Sequence, residues 1–100
     1  MSDFDLKPKL KQKTKVEKPK LYKVVLLNDD YTPREFVVLI LKAEFKLDSA
    51  QAEVVMITAH QKGACVVSVY PKDVAETKAT RAIDAAGQLG YPLQFTVEPE

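Results

Sequence analysis

The run Leu21 to Leu27 is apolar except for Lys23, and it ends at once in Asn28-Asp29-Asp30. A short run containing Val24 and Val25 and stopped by an asparagine predicts a strand. The run is apolar on both of its faces, which predicts a central place in a sheet. Asn and Asp favour turns because their side chains bond nearby backbone groups. Thr32-Pro33-Arg34-Glu35 comes next, with the spacing of a capping box and with proline at the first helical position. A strand therefore turns a corner into a helix, and three short polar side chains stand at the strand's open end. Mixed α/β proteins hold ligands at such corners. A well-made turn with a helix cap is the plainer reading of the same residues.

The rest of the chain reads in order from that corner. Phe36, Val37, Ile40, Leu41 and Phe45 form an apolar face at helical spacing. Asp48 with Gln51 starts a second helix, whose stripe is Ala52, Val55, Met56 and Ala59 and which stops near Gly63. Ala64 to Tyr70 predicts a second strand. Asp73 with Glu76 predicts another capping box, opening a helix over Val74 to Leu89 that Gly90 ends. Leu93 to Val97 alternates apolar and polar as a third strand. The order is β-α-α-β-α-β, with no internal repeat. Two helices between the first and second strands let these run antiparallel. The single helix between the second and third predicts a right-handed crossover between parallel strands. Both conditions are met by a three-stranded sheet with the first strand in the middle. The three helices then pack mainly on one face, giving an α+β fold, a small α/β sandwich.

At 100 residues the chain suits one domain with an adequate core. We expect an extension over 1–19 and a domain over 20–100. No stretch reaches the roughly 18 apolar residues that a membrane helix needs. The N-terminus is charged and carries no apolar signal core. The single cysteine, Cys65, excludes an internal disulfide, fits a reducing compartment and lies in an apolar run, so it reads as a buried inert thiol.

The net charge of +1 conceals an asymmetry: residues 1–23 carry +5 and residues 24–100 carry −4. A lysine-rich arm is one way to bind nucleic acid. This arm lacks arginine, has little aromatic content and joins an acidic domain, so a flexible, solvated extension is the better reading.

His60 is the only histidine and flanks the stripe of the second helix, four residues after Met56. With the Asn-Asp-Asp corner it makes a set that suits a cation. A metal is poorly served, because no HxxxH or CxxC spacing occurs. Acid–base catalysis by His60 with Asp29 or Asp30 is weakly supported, because the chain has no glycine-rich phosphate loop and no setting for a serine or cysteine nucleophile. The third candidate is an ammonium group. An α-amino group has a reference pKa of about 7.7 to 8.0 and is mostly protonated at neutral pH. Its three N–H donors need acceptors, and Asn28, Asp30 and a neutral His60 imidazole each offer one.

The segment Leu21 to Pro33, then Glu35-Phe36-Val37, Ala59 to Gly63, Val74 to Lys78 and Pro92-Leu93 together resemble the ClpS adaptor family, over about Pro19 to Glu98. The resemblance implies the fold deduced above, similar to the C-terminal domain of the ribosomal stalk protein. It implies an adaptor without enzymatic activity or cofactor, and a bacterial, cytoplasmic, monomeric protein that engages neither membrane nor nucleic acid. Its partners would be proteins beginning with Phe, Leu, Tyr or Trp, delivered to the N-terminal domain of the AAA+ unfoldase ClpA of the ClpAP protease.

By the same resemblance Asn28, Asp30 and His60 hold the α-amino group, with Asp29 adding negative potential or backbone contacts. Leu26, Leu27, Thr32, Val37, Met56, Ala59 and Leu93 line a pocket for the first side chain, with Arg34 at its rim. Tyr31, Asp73, Glu76 and Lys78 match the surface that docks on the unfoldase. Periodicity alone makes Val37, Met56 and Ala59 ordinary core, and makes Asp73, Glu76 and Lys78 a helix cap and first turn. Many members carry methionine where this chain has Arg34 and valine where it has Ala59, which bears on which first residue is preferred. The alternative is a stalk-like interaction module that docks a partner by a helix face and recognises no terminus.

Overall fold

A computed structural model describes residues 20–100; the extension expected over 1–19 lies outside them. The elements are β1 (Leu21–Leu27), α1 (Arg34–Phe45), α2 (Ser49–Lys62), β2 (Ala64–Pro71), α3 (Lys72–Gln88) and β3 (Gln94–Pro99). The sheet order is β2-β1-β3, and β1 pairs antiparallel with both neighbours. β2 and β3 are therefore parallel to each other across the central strand, as the connection lengths predict.

The predicted position of β1 follows from what its two faces meet. Val24 and Leu26 face the helices and are 0% and 2% exposed. Each such burial stabilises the fold by about 1.5–3 kcal/mol. Val25 points to the other face, where its pairing partners Val66 and Thr96 flank it, and it is buried outside the main core cluster. Between Val24 and Val25 the β1–β2 register shifts by one residue. The extra residue places Val67 in the core cluster beside Val24 and Leu26.

The core joins Val37, Ile40, Leu41 and Phe45 of α1, Ala52, Met56 and Ala59 of α2, and Ala75, Ala79, Ala82 and Ala86 of α3 to the inner face of the sheet. The α3 stripe is all alanine, which lets that helix lie close to the sheet. Aromatic rings fill the remaining space, with Phe45 and Phe95 centroids 5.3 Å apart. Cys65 is half-buried rather than fully buried, with its Sγ 3.4 Å from the Val66 carbonyl.

Three sequence expectations about caps meet different outcomes. At α2 the capping box forms: Asp48 accepts from the Gln51 N–H, and the Gln51 side chain accepts from the Asp48 N–H. At α1 it does not. Pro33 is the N-cap and Arg34 the first helical residue, and the Thr32 hydroxyl bonds Asp29 instead of the helix. At α3 the Asp73–Glu76 box is also absent. That helix begins at Lys72, directly after Pro71, so Asp73 already lies inside its first turn, where it accepts from the Val74 N–H. α3 accordingly spans Lys72–Gln88 rather than Val74 to Leu89, and β3 begins one residue later and ends two later than expected.

Candidate functional site

The corner after β1 is built by one carboxylate. Asp29 Oδ1 accepts from the backbone N–H groups of Tyr31 and Thr32 at 2.9 and 2.7 Å, and Oδ2 accepts from the Thr32 hydroxyl at 3.0 Å. Three bonds occupy this half-buried side chain. Thr32, the one buried polar residue of the described chain, is satisfied by the same pairing. Asp29 therefore organises the loop, and the carboxylate left facing solvent is that of Asp30. This division of labour between adjacent aspartates is not legible in the sequence.

A second constraint brings α2 to the corner. Gly63 ends α2 at φ 91°, a left-handed conformation that suits glycine, and its N–H caps the Ala59 carbonyl at 2.8 Å. The Gly63 carbonyl then accepts from the Asn28 N–H at 3.0 Å. The last turn of α2, with His60 on it, is thereby fixed against the end of β1. Asn28, Asp30 and His60 are all exposed there, so each can offer its polar atoms to an incoming group.

Beneath these three lies a cavity of about 120 Å³. Leu26 and Leu27 of β1 and Leu93, just before β3, form its sheet side; Val37 of α1 and Met56 and Ala59 of α2 form its helix side. Thr32 and Arg34 close it toward the start of α1, and Asn28, Asp29, Asp30 and His60 form its mouth. Leu26, Ala59 and Leu93 are each 2% exposed and Met56 and Val37 7% exposed, so these walls are built from buried apolar side chains. The volume approaches the roughly 150 Å³ of an apolar cavity able to take a benzene ring. The cavity thus offers an aromatic-sized apolar interior under a mouth of hydrogen-bond acceptors. The structure brings together all twelve residues expected at the amine and the pocket.

It does not bring together the four expected at a docking surface. β1 pairs at Leu21 with Pro71 and at Leu27 with Ala64, so the start of α3 lies at the opposite end of the sheet from the corner, about 20 Å away along the strand. Asp73 and Glu76 are exposed at that far end, whereas Tyr31 stands 81% exposed beside the corner. Lys78 is half-buried and engaged. Its Nζ donates to the Glu44 carbonyl at 2.9 Å, capping the end of α1, and lies 5.4 Å from the centre of the Tyr70 ring. The Glu44 carboxylate meets Arg81 at 3.1 Å, so α1 and α3 are tied twice at this place.

Among the described residues no three of His, Cys, Asp and Glu gather as a metal site. No helix among them is long and apolar enough to cross a membrane.

Comparison with known proteins agrees with this architecture. The family model described as ATP-dependent Clp protease adaptor protein ClpS matches residues 17–96. The ATP-dependent Clp protease adapter protein ClpS 1 of Bradyrhizobium diazoefficiens is 67% identical over 100 residues, covering 100% of this chain and 99% of its own. The corresponding ClpS 2 of Agrobacterium fabrum is 58% identical over 99 residues, covering 99% of this chain and 96% of its own. Among solved structures, Agrobacterium tumefaciens ClpS2 bound to L-phenylalaninamide superposes with a TM-score of 0.81 at 57% identity, covering 83% of this chain and 100% of that one. The fold, the corner and the near full-length identity lead to one assignment: the chain belongs to the ClpS family of adaptor proteins of the ATP-dependent Clp protease.

Proposed function

We propose that this adaptor binds proteins by a free α-amino group and a large hydrophobic first residue, and delivers them to a ClpA-type AAA+ unfoldase through that unfoldase's N-terminal domain. The supporting observation is the coincidence of two chemistries in one cavity. Its mouth presents the Asn28, Asp30 and His60 side chains, and its interior is apolar and close to the size of a benzene ring. An ammonium group carries three N–H donors and binds best where charge-assisted acceptors converge. A first residue attaches its amine and its side chain to the same Cα, so a site for it must place acceptors within a few ångströms of an apolar hole.

L-Phenylalaninamide, the molecule bound to the Agrobacterium tumefaciens relative, combines a free amine and a benzyl group on one carbon. It has the chemistry of a protein chain that begins with phenylalanine. By this reading Phe, Tyr, Trp and Leu termini are the degradation signals recognised. Asn28, Asp30 and His60 hold the amine, Asp29 holds the loop and adds negative potential, and the remaining cavity residues hold the side chain. Tyr31 and the exposed start of α3, at Asp73 and Glu76, provide contacts to the unfoldase, with Lys78 at their edge. The adaptor acts as a cytoplasmic monomer and catalyses no reaction.

Delivery is tested with a reporter protein beginning with Phe, incubated with the ClpA–ClpP protease and ATP. The adaptor is expected to accelerate its degradation and to leave a Met-initiated twin unaffected. Equal effects on both reporters would contradict the proposal. The stalk-like alternative finds no supporting observation in the geometry, since a docking helix requires neither the cavity nor its polar mouth.

A further inference from the structure

One apolar wall residue of the cavity differs in kind from the others. Leu26, Leu27, Val37, Ala59 and Leu93 are hydrocarbon side chains, whereas Met56 carries a thioether. A thioether sulfur is oxidised by peroxides to a polar sulfoxide, and this change is reversible. Met56 is only 7% exposed, but it lines a cavity that opens at the mouth formed by Asn28, Asp30 and His60. At about 120 Å³ that cavity has room for hydrogen peroxide, since a single water needs roughly 10–15 Å³. The same side chain also lines a cleft between α1 and α2, beside Val38 and Glu53. A small solute therefore has two approaches to it. The other methionine of the chain, Met1, lies outside the described residues.

We propose that Met56 is a redox switch: oxidation of its thioether by hydrogen peroxide closes the cavity to apolar first residues, and reduction of the sulfoxide reopens it. The inference rests on the reading of the cavity as the seat of a first residue and adds a regulation to that site. In the oxidation a sulfur lone pair attacks one oxygen of the peroxide. An S–O bond forms, the O–O bond breaks, and the second oxygen leaves as water with both hydrogens. Sulfur loses two electrons and the peroxide gains them. Methionine sulfoxide reductases return the thioether.

The position of Met56 makes its sulfoxide a fault in binding more than in folding. In the free adaptor the cavity is open at its mouth, so water can reach the sulfoxide oxygen. A bound first residue fills the cavity and excludes that water. The oxygen then needs another donor. The side chains of Leu26, Val37, Ala59 and Leu93 have none, and the Thr32 hydroxyl already donates to Asp29. A polar group buried without a hydrogen bond is costly. The added oxygen also occupies part of the volume that an aromatic ring would fill. Cys65, the single thiol of the chain, does not line the cavity, so its oxidation would not act by this route.

The full chain is treated with hydrogen peroxide, the added oxygen is located by mass spectrometry of its peptides, and one Phe-initiated peptide is titrated before and after. Met56 is expected to gain an oxygen, and the oxidised protein to bind at least about tenfold more weakly, the scale of an unpaired buried polar group. Methionine sulfoxide reductase is expected to restore the affinity, and dithiothreitol, which reduces oxidised thiols, is not. Whatever affinity Met56→Leu has untreated, the same treatment is expected not to change it. A Met56 that takes up no oxygen, or an oxidised Met56 with unaltered binding, would overturn the switch. So would an equal loss in Met56→Leu, because the damage would then lie elsewhere. Failure of the untreated protein to bind the peptide would instead overturn the reading of the cavity, and the switch with it.

Discussion

The backbone N–H of Asn28 donates to the carbonyl of Gly63 at 3.0 Å. This single bond joins the end of the central strand to the cap of α2 and sets Asn28 and His60 over one cavity. Its geometry depends on Gly63, at φ 91°. A Cβ at Gly63 would meet nothing within 4 Å, so the cost of a side chain there is conformational, about 1–2 kcal/mol.

Gly63→Ala is therefore expected to lower unfolding stability by that amount and to weaken peptide binding. Gly87→Ala is the control. Gly87 lies inside α3, also with open space for a Cβ, and alanine there is expected to stabilise by up to about 1 kcal/mol. Urea denaturation of both variants checks the pair. Similar effects of the two substitutions would contradict the role given to the Gly63 conformation.

The adjacent aspartates are expected to separate cleanly. Asp29 holds Tyr31 and Thr32 through three hydrogen bonds, so Asp29→Ala is expected to cost about 0.5–2 kcal/mol of stability, the range for a lost side-chain cap. Among the described residues Asp30 makes no such bonds, and Asp30→Ala is expected to leave stability unchanged. It should instead weaken binding of a Phe-initiated peptide by about 1.5–3 kcal/mol, the scale of a hydrogen bond to a charged group. His60→Ala is expected to follow Asp30→Ala. Denaturation and titration of the three variants decide the matter; a stable Asp29→Ala protein beside a destabilised Asp30→Ala protein would reverse the assignment.

Arg34 lines the cavity toward the start of α1 and is exposed, so its stem can wall the cavity while its guanidinium remains in water. Among the described residues it forms no ion pair with Asp29 or Asp30. The stem is expected to exclude termini branched at Cβ. Ala59, with a smaller side chain than valine at a wall position, is expected to favour a ring over leucine. Phe and Tyr termini should therefore bind more tightly than Leu. Arg34→Ala should relax the exclusion of Ile and Val, and Arg34→Met should change it little. A panel of peptides differing only in the first residue reads this directly, and an unchanged ranking in Arg34→Ala would show that Arg34 is not a gate.

Every element formed by the described residues lies after Lys20. Deleting residues 1–18 is expected to leave peptide affinity unchanged and to slow or abolish delivery, since a lysine-rich arm would be a segment for the unfoldase to engage. Degradation assays with the truncated protein test this; delivery at full speed would rule it out.

Much of this fold is legible because single residues carry strong local signals. Asp48 with Gln51 starts α2 and Gly63 stops it, as spacing alone predicts. The two-sided apolar run of β1 predicts a central strand, and the connections then fix the sheet order. The Thr32–Glu35 box fails because Pro33 is the N-cap and the helix starts at Arg34, which leaves Thr32 one residue before the capping position, where its hydroxyl donates to Asp29. The Asp73–Glu76 box fails because α3 starts at Lys72, straight after Pro71, leaving no free N-cap position at Asp73. The register shift opposite Val24 and Val25 has no sequence signal, since no glycine or proline marks it within Val66-Val67-Ser68.

At the site, periodicity marks Val37, Met56 and Ala59 only as buried, and they are buried. The cavity they share is a three-dimensional fact that needs the Asn28–Gly63 closure.

The central claim is that the mouth of the cavity recognises a free amine. It is tested most directly by titrating the protein with one Phe-initiated peptide in two forms, free and N-acetylated. Acetylation removes the positive charge and two of the three N–H donors while leaving the benzyl group in place. The account predicts that the free form binds and that the acetylated form loses at least about a hundredfold in affinity, the scale of one or two charge-assisted bonds. Comparable affinity for the two forms would contradict it.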